Sequence, residues 1–146
     1  MTERDEAGLR LARVLVVERD PRAREALRRL VSGEPELTVC GEAGTPAAAA
    51  RLAAETWPDL ILLGLDLPDG PGLDLLRLVR GWPDPPKVLV LRCEAGSAAG
   101  ARAVLSGACG VVGGHPRDAG LLCAVFEALF GPDAAPGAAR DAPAAA

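Results

Sequence analysis

The side chains best suited to chemistry in this 146-residue chain follow directly on short apolar runs. Glu18-Arg19-Asp20 follows Val14-Leu-Val-Val17, Gly64-Leu65-Asp66-Leu67-Pro68-Asp69-Gly70 follows Leu60-Ile-Leu-Leu63, and Arg92-Cys93 follows Val88-Leu-Val-Leu91. Carboxylates so placed suit a hard divalent cation, whereas guanidiniums suit the oxygens of a phosphate or carboxylate. With Arg19 and Arg92 facing inward beside Glu18 the local charge is about +1, which repels Mg²⁺ and leaves Arg19 and Arg92 as candidate ligands for a small anion. Asp69-Gly70 is plain turn chemistry. Gly110-x-x-Gly113-Gly114 lacks the Lys-Ser/Thr of a phosphate loop, and His115-Pro116 reads as an ordinary loop. No nucleophile–base pair falls near the strand ends. A single histidine and four widely spaced cysteines (Cys40, Cys93, Cys109, Cys123) argue against zinc, so neither a metal nor a cofactor is expected, and the cysteines read as buried, reduced thiols.

The elements that position these residues alternate regularly. Val14–Val17 is a strand buried on both faces, and Asp20-Pro21 supplies an N-cap and a first-turn proline. Ala23, Ala26, Leu27, Leu30 and Val31 give the next segment a helical apolar stripe ending near Gly33. Residues 37–40 form a second strand, Thr45-Pro46 starts an Ala-rich helix, and Trp57-Pro58 ends it. Residues 60–63 and 88–91 are the third and fourth strands, with a helix at 72–80 between them. A weaker helix at 97–106, with Ala98, Ala101, Val104 and Leu105 on its apolar face, precedes a short strand at 110–112. A last helix shows Leu121, Leu122, Val125, Phe126 and Leu129. Five strand–helix repeats with short connections predict a doubly wound α/β fold. The expected domain spans 13–131, between a flexible leader at 1–12 and an Ala/Pro-rich tail or linker at 132–146.

Order and spacing add a family to this. Val14-Leu-Val-Val-Glu-Arg-Asp-Pro21, the Gly64–Gly70 phrase, Lys87-Val-Leu-Val-Leu91 and Gly107-Ala-Cys-Gly-Val-Val112 together resemble a response-regulator receiver domain, of the type that precedes LuxR-type helix-turn-helix domains. The resemblance covers roughly residues 13–130 and implies a parallel sheet of order 2-1-3-4-5. In such a fold a ligand site lies beyond the carboxyl ends of the strands, where the strand order reverses. A working receiver holds Mg²⁺ there with acids after strand one and with the acceptor aspartate of strand three. A hydroxyl after strand four and a lysine after strand five serve the phosphoryl oxygens. This chain departs at almost every place: the acid pair becomes Glu18-Arg19, with a cation as its second member, and Gly64 stands for the acceptor, Arg92 for the hydroxyl and Gly114 for the lysine. Val111 stands at the aromatic switch position, and the chain has no tyrosine.

These departures imply a phosphorylation-independent, non-enzymatic signalling module working through a homodimer or a partner protein, in transcription regulation through an attached effector. The competing class is a sensor of a small anion at Arg19 and Arg92. Arg92 and Glu18 are expected to pair across the space left by Gly64. A net charge of -4 gives no pull toward nucleic acid, and Arg22, Arg24, Arg28 and Arg29 read as a solvated face. No apolar run reaches the roughly 18 residues of a membrane span. The expected setting is the cytoplasm.

Overall fold

Alternate side chains of a strand point to opposite sides of its sheet, so an unbroken apolar run suits a strand covered on both faces. The computed structural model describes residues 10–64, 66–67, 70–93, 96–113 and 119–131. It contains one parallel sheet of β1 (Ala12–Val17), β2 (Leu37–Ala43), β3 (Leu60–Gly64), β4 (Lys87–Leu91) and β5 (Gly110–Val112), in the order β2-β1-β3-β4-β5. The helices are α1 (Pro21–Ser32), α2 (Pro46–Thr56), α3 (Gly72–Arg80), α4 (Ala98–Leu105) and α5 (Ala119–Phe130). A two-residue ribbon, Asp66–Leu67 against Gly70–Pro71, follows β3 and was not legible in the sequence.

The strands divide their side chains between two cores. Leu15, Val17, Ile61, Leu63, Val88 and Val90 pack with residues of α2, α3 and α4 on one face. Val14, Val16, Leu60, Leu62, Leu89 and Leu91 pack with Leu27, Val31, Leu121, Val125 and Leu129 of α1 and α5 on the other. The expected caps are in place: Asp20 accepts from the Arg22 amide at 3.1 Å, and Thr45 from the Ala48 amide at 3.2 Å. No helix among the described residues is long and apolar enough to cross a membrane.

Several expectations need correction. β1 begins at Ala12, inside the stretch read as a leader, and β2 runs on to Ala43. In α4 the buried residues are Gly100 and Ala103, whereas Val104 and Leu105 are 52% and 78% exposed. The short helix packs by its small residues, so its larger apolar side chains face outward. Two of the four thiols, Cys109 and Cys123, are exposed, and all four are free. Cys123 lies off the Leu121/Val125/Leu129 stripe of α5 that meets the sheet. Burial pushes the half-buried Cys40 thiol up, and its Sγ lies 3.4 Å from Thr56 Oγ1. The tail at 132–146 lies outside the described residues.

Asp59, just before β3, is 2% exposed. It accepts from the Arg13 amide at 2.8 Å and from Arg10 Nη2 at 3.3 Å, which ties Arg10 to the domain. Replacing it by alanine strands a backbone amide and a mostly buried guanidinium. Asp59→Ala is expected to lower the unfolding free energy by roughly 2–4 kcal/mol in denaturant melts, with Asp59→Asn retaining more of it. A loss below about 0.5 kcal/mol would contradict this role.

Candidate functional site

The β1–β3–β4 arrangement puts three loop starts side by side at the carboxyl end of the sheet. Glu18 leaves β1 with its amide donating to Ala43 O at 2.9 Å, and its side chain turns inward to 1% exposure. A buried carboxylate needs its oxygens hydrogen-bonded. Oε2 accepts from the Asp20 amide at 3.0 Å, and Oε1 accepts from Arg92 Nη2 at 2.5 Å. Arg92 sits just beyond β4 with φ of 54°, a left-handed conformation that a residue with a Cβ adopts at a cost of about 1–2 kcal/mol. Its side chain stays 40% exposed while that of Glu18 is 2% exposed, so the pair is closed on the carboxylate side and open on the guanidinium side.

Gly64 lies between them and its glycine character is required by close approach. A Cβ there would stand 2.9 Å from Glu18 Oε1 and 3.6 Å from Arg92 Nη2. The carboxylate therefore occupies the space a side chain at 64 would need. A second glycine serves the same loop. Arg24 Nη1 donates to the Glu18 carbonyl at 2.7 Å, and a Cβ on Gly44 would meet that nitrogen at 2.8 Å.

Arg24 was expected on a solvated face together with Arg22, Arg28 and Arg29. It instead clamps the backbone of Glu18. The sequence signal was its place one turn into α1 and the glycine before the Thr45 cap. Arg28 and Arg29 do lie outward, both bound to Glu25, and their hydrogen bonds hold its carboxyl down to about 2. Arg19 is exposed at the turn into α1. Val111 is half-buried on β5, and Cys93 is buried beside the site with its Sγ 3.9 Å from Ser97 Oγ. Gly114, His115 and Asp69, with the side chain of Asp66, lie outside the described residues. The sequence-predicted residues that the fold brings together are thus Glu18, Gly64 and Arg92.

A family model of the response regulator receiver domain matches residues 14–115. The chain belongs to this family. The receiver is 36% identical over 103 residues to the DNA-binding transcriptional activator DevR/DosR of Mycobacterium tuberculosis, covering 70% of this chain and 47% of that one. It is 33% identical over 100 residues to a protein-glutamate methylesterase/protein-glutamine glutaminase of Pyrococcus abyssi, covering 68% of this chain and 27% of that one. The receiver thus spans between about a quarter and a half of these relatives' length. Among solved structures, a LuxR-family two-component response regulator from Aurantimonas is 33% identical, with a TM-score of 0.70 over 79% of this chain and 82% of that one. The signal receiver domain of the putative response regulator NarL from Mycobacterium tuberculosis is 28% identical, with a TM-score of 0.72 over 80% and 94%.

The close approach at Gly64 gives a direct test. Gly→Ala in a strand ordinarily stabilises by about 0.5–1 kcal/mol. Gly64→Ala is expected to destabilise by about 1 kcal/mol instead, because the Glu18 carboxylate must move. The same substitution in a Glu18→Ala background is expected to lose that penalty, as read by thermal melts of the four proteins. An equal penalty in both backgrounds would place the strain elsewhere.

Proposed function

We propose that this receiver is a phosphorylation-independent, non-catalytic signalling module whose phosphorylation pocket is closed by its own ion pair. The observation that carries this reading is the Arg92–Glu18 contact of 2.5 Å over Gly64, at the position the family resemblance gives to the acceptor. Gly64 offers no side-chain oxygen for a phosphoryl group. Mg²⁺ binding asks for several oxygen ligands in near-octahedral geometry. The donor set fits it poorly: both oxygens of the Glu18 carboxylate are taken, one of them by a guanidinium. Arg19 and Gly114, at the second-acid and lysine positions, complete the set Glu18, Arg19, Gly64, Arg92 and Gly114 as a degenerate pocket.

Signalling in such a module passes through surfaces. Leu105 and Val104 of α4 and Phe130 of α5 are exposed apolar groups suited to a homodimer or partner contact. The transcriptional regulators among the relatives support a role in transcription through an attached effector. The anion-sensor reading keeps one supporting observation, the 40% exposure of the Arg92 side chain, but an incoming anion must compete there with Glu18.

Incubation with acetyl phosphate and Mg²⁺ followed by intact-mass measurement is expected to leave the protein unmodified, while a receiver with its acceptor aspartate gains a phosphoryl group in parallel. A phosphoryl adduct mapped to Asp66, Asp69 or any other residue of this chain would overturn the proposal.

A further inference from the structure

The large apolar side chains that stand exposed among the described residues all sit at helix C-termini. Trp57 caps α2, Leu78 lies in the last turn of α3, Val104 and Leu105 close α4, and Phe130 closes α5. Between parallel strands each helix carries the chain back to where the next strand begins. The apolar exposure is therefore gathered at the amino end of the sheet, opposite Glu18.

A cleft opens at this end. It measures about 340 Å³, and its walls are Ala53, Ala54, Trp57, Trp82, Pro83 and Asp84. Trp57 stands there with φ of 51°, a left-handed conformation that costs a residue with a Cβ about 1–2 kcal/mol. Burial does not recover that energy, because Trp57 is 67% exposed. Strain of this kind concentrates at ligand sites. Trp82 forms the fixed wall, half-buried against the core that α2 and α3 share. Polar groups at the rim are engaged within the domain: Asp84 has a partner, and the Thr56 carbonyl beside Trp57 accepts from Arg13 Nε at 2.9 Å. What the cleft offers a guest is indole, alanine and proline surface.

Residues 132–146 are such a guest in composition, and α5 delivers them to this end. Gly131 ends the helix in a way that suits glycine alone, since a Cβ there would collide with the Glu127 carbonyl, and Pro132 cannot continue it. Of the 15 residues from Pro132 to Ala146, eight are alanine and three are proline, with no larger apolar side chain among them. Such a segment cannot bury a core of its own. Proline favours the extended polyproline II helix, whose rings and methyl groups dock in aromatic-lined grooves. At about 3.1 Å per residue the segment reaches about 46 Å, whereas a domain of about 120 residues is about 35 Å across. We propose that residues 132–146 dock in the Trp57–Trp82 cleft in polyproline II form, so that the receiver grips its own segment beyond α5 at the end opposite the pocket. The grip fixes the direction in which the chain leaves the domain.

Both tryptophans line the cleft and the chain has no tyrosine, so acrylamide quenching of the intrinsic fluorescence reads the cover directly. In the full-length protein, Pro136→Ser with Pro143→Ser is expected to raise the quenching constant about 1.5- to 2-fold, because a tethered segment at mM effective concentration otherwise fills the cleft. A peptide of residues 132–146 added to that variant is expected to restore the parent value with a midpoint on the order of 1 mM, and the peptide carrying the same two serines is not. In a Trp57→Gly background, where glycine relieves the left-handed cap, the serine substitutions are expected to leave the quenching of Trp82 unchanged. Equal quenching of the parent and the serine variant, or no effect of the parent peptide, would overturn the proposal. So would shielding that is lost when the parent is diluted from about 100 to about 1 μM, which would put a second copy of the chain in the cleft.

Discussion

A carboxylate enclosed by protein has to be met by donors, and in this receiver Glu18 is enclosed almost completely. The surrounding architecture is arranged to meet it. The Asp20 amide and the Arg92 guanidinium take its two oxygens, Ala43 takes its amide, and Arg24 holds its carbonyl. Two glycines, Gly64 and Gly44, leave room for the carboxylate and for the Arg24 guanidinium. Arg92 accepts a left-handed backbone to reach across. The end of β2 and the loops after β1 and β4 are thereby tied to one residue.

Gly64 takes a different meaning in this light. Read as a sequence position it is a missing acceptor, an absence. Read in three dimensions it is the space that lets an internal cation and anion meet over the end of β3, between the ends of β1 and β4. Substituting aspartate there would set a second carboxylate against the first, since a Cβ at 64 already meets Glu18 Oε1 at 2.9 Å. The opposite end of the sheet carries both tryptophans, in the segments that follow α2 and α3 and away from the strand ends that hold Glu18.

Much of this was legible in the sequence because local rules and tertiary burial agree. The apolar runs gave the strands, Asp20-Pro21 and Thr45-Pro46 gave helix starts, and the strand order followed from the family phrase. Adjacency of β1, β3 and β4 was enough to expect Arg92 near Glu18. The rest depends on features that no local pattern encodes. Arg24 looks like any solvated arginine until the β2–α2 turn is placed beside it. The exposed face of α4 follows from a short helix packing through Gly100 and Ala103, against the direction that residue size suggests. The strained cap at Trp57 is a backbone property, invisible where the letters show only a tryptophan before a proline.

The Arg92–Glu18 contact implies an energetic coupling between the two residues, and a double-mutant cycle measures it most directly. Denaturant melts of the parent, Arg92→Ala, Glu18→Ala and the double variant isolate the pairwise term. With Glu18 buried and Arg92 partly exposed, the coupling is expected at about 2 kcal/mol, between the values for a solvated and a buried pair. Arg92→Ala alone is expected to destabilise, because it leaves the carboxylate enclosed with one donor fewer. Strict additivity, within about 0.3–0.5 kcal/mol, would show that the contact does not hold the pocket closed.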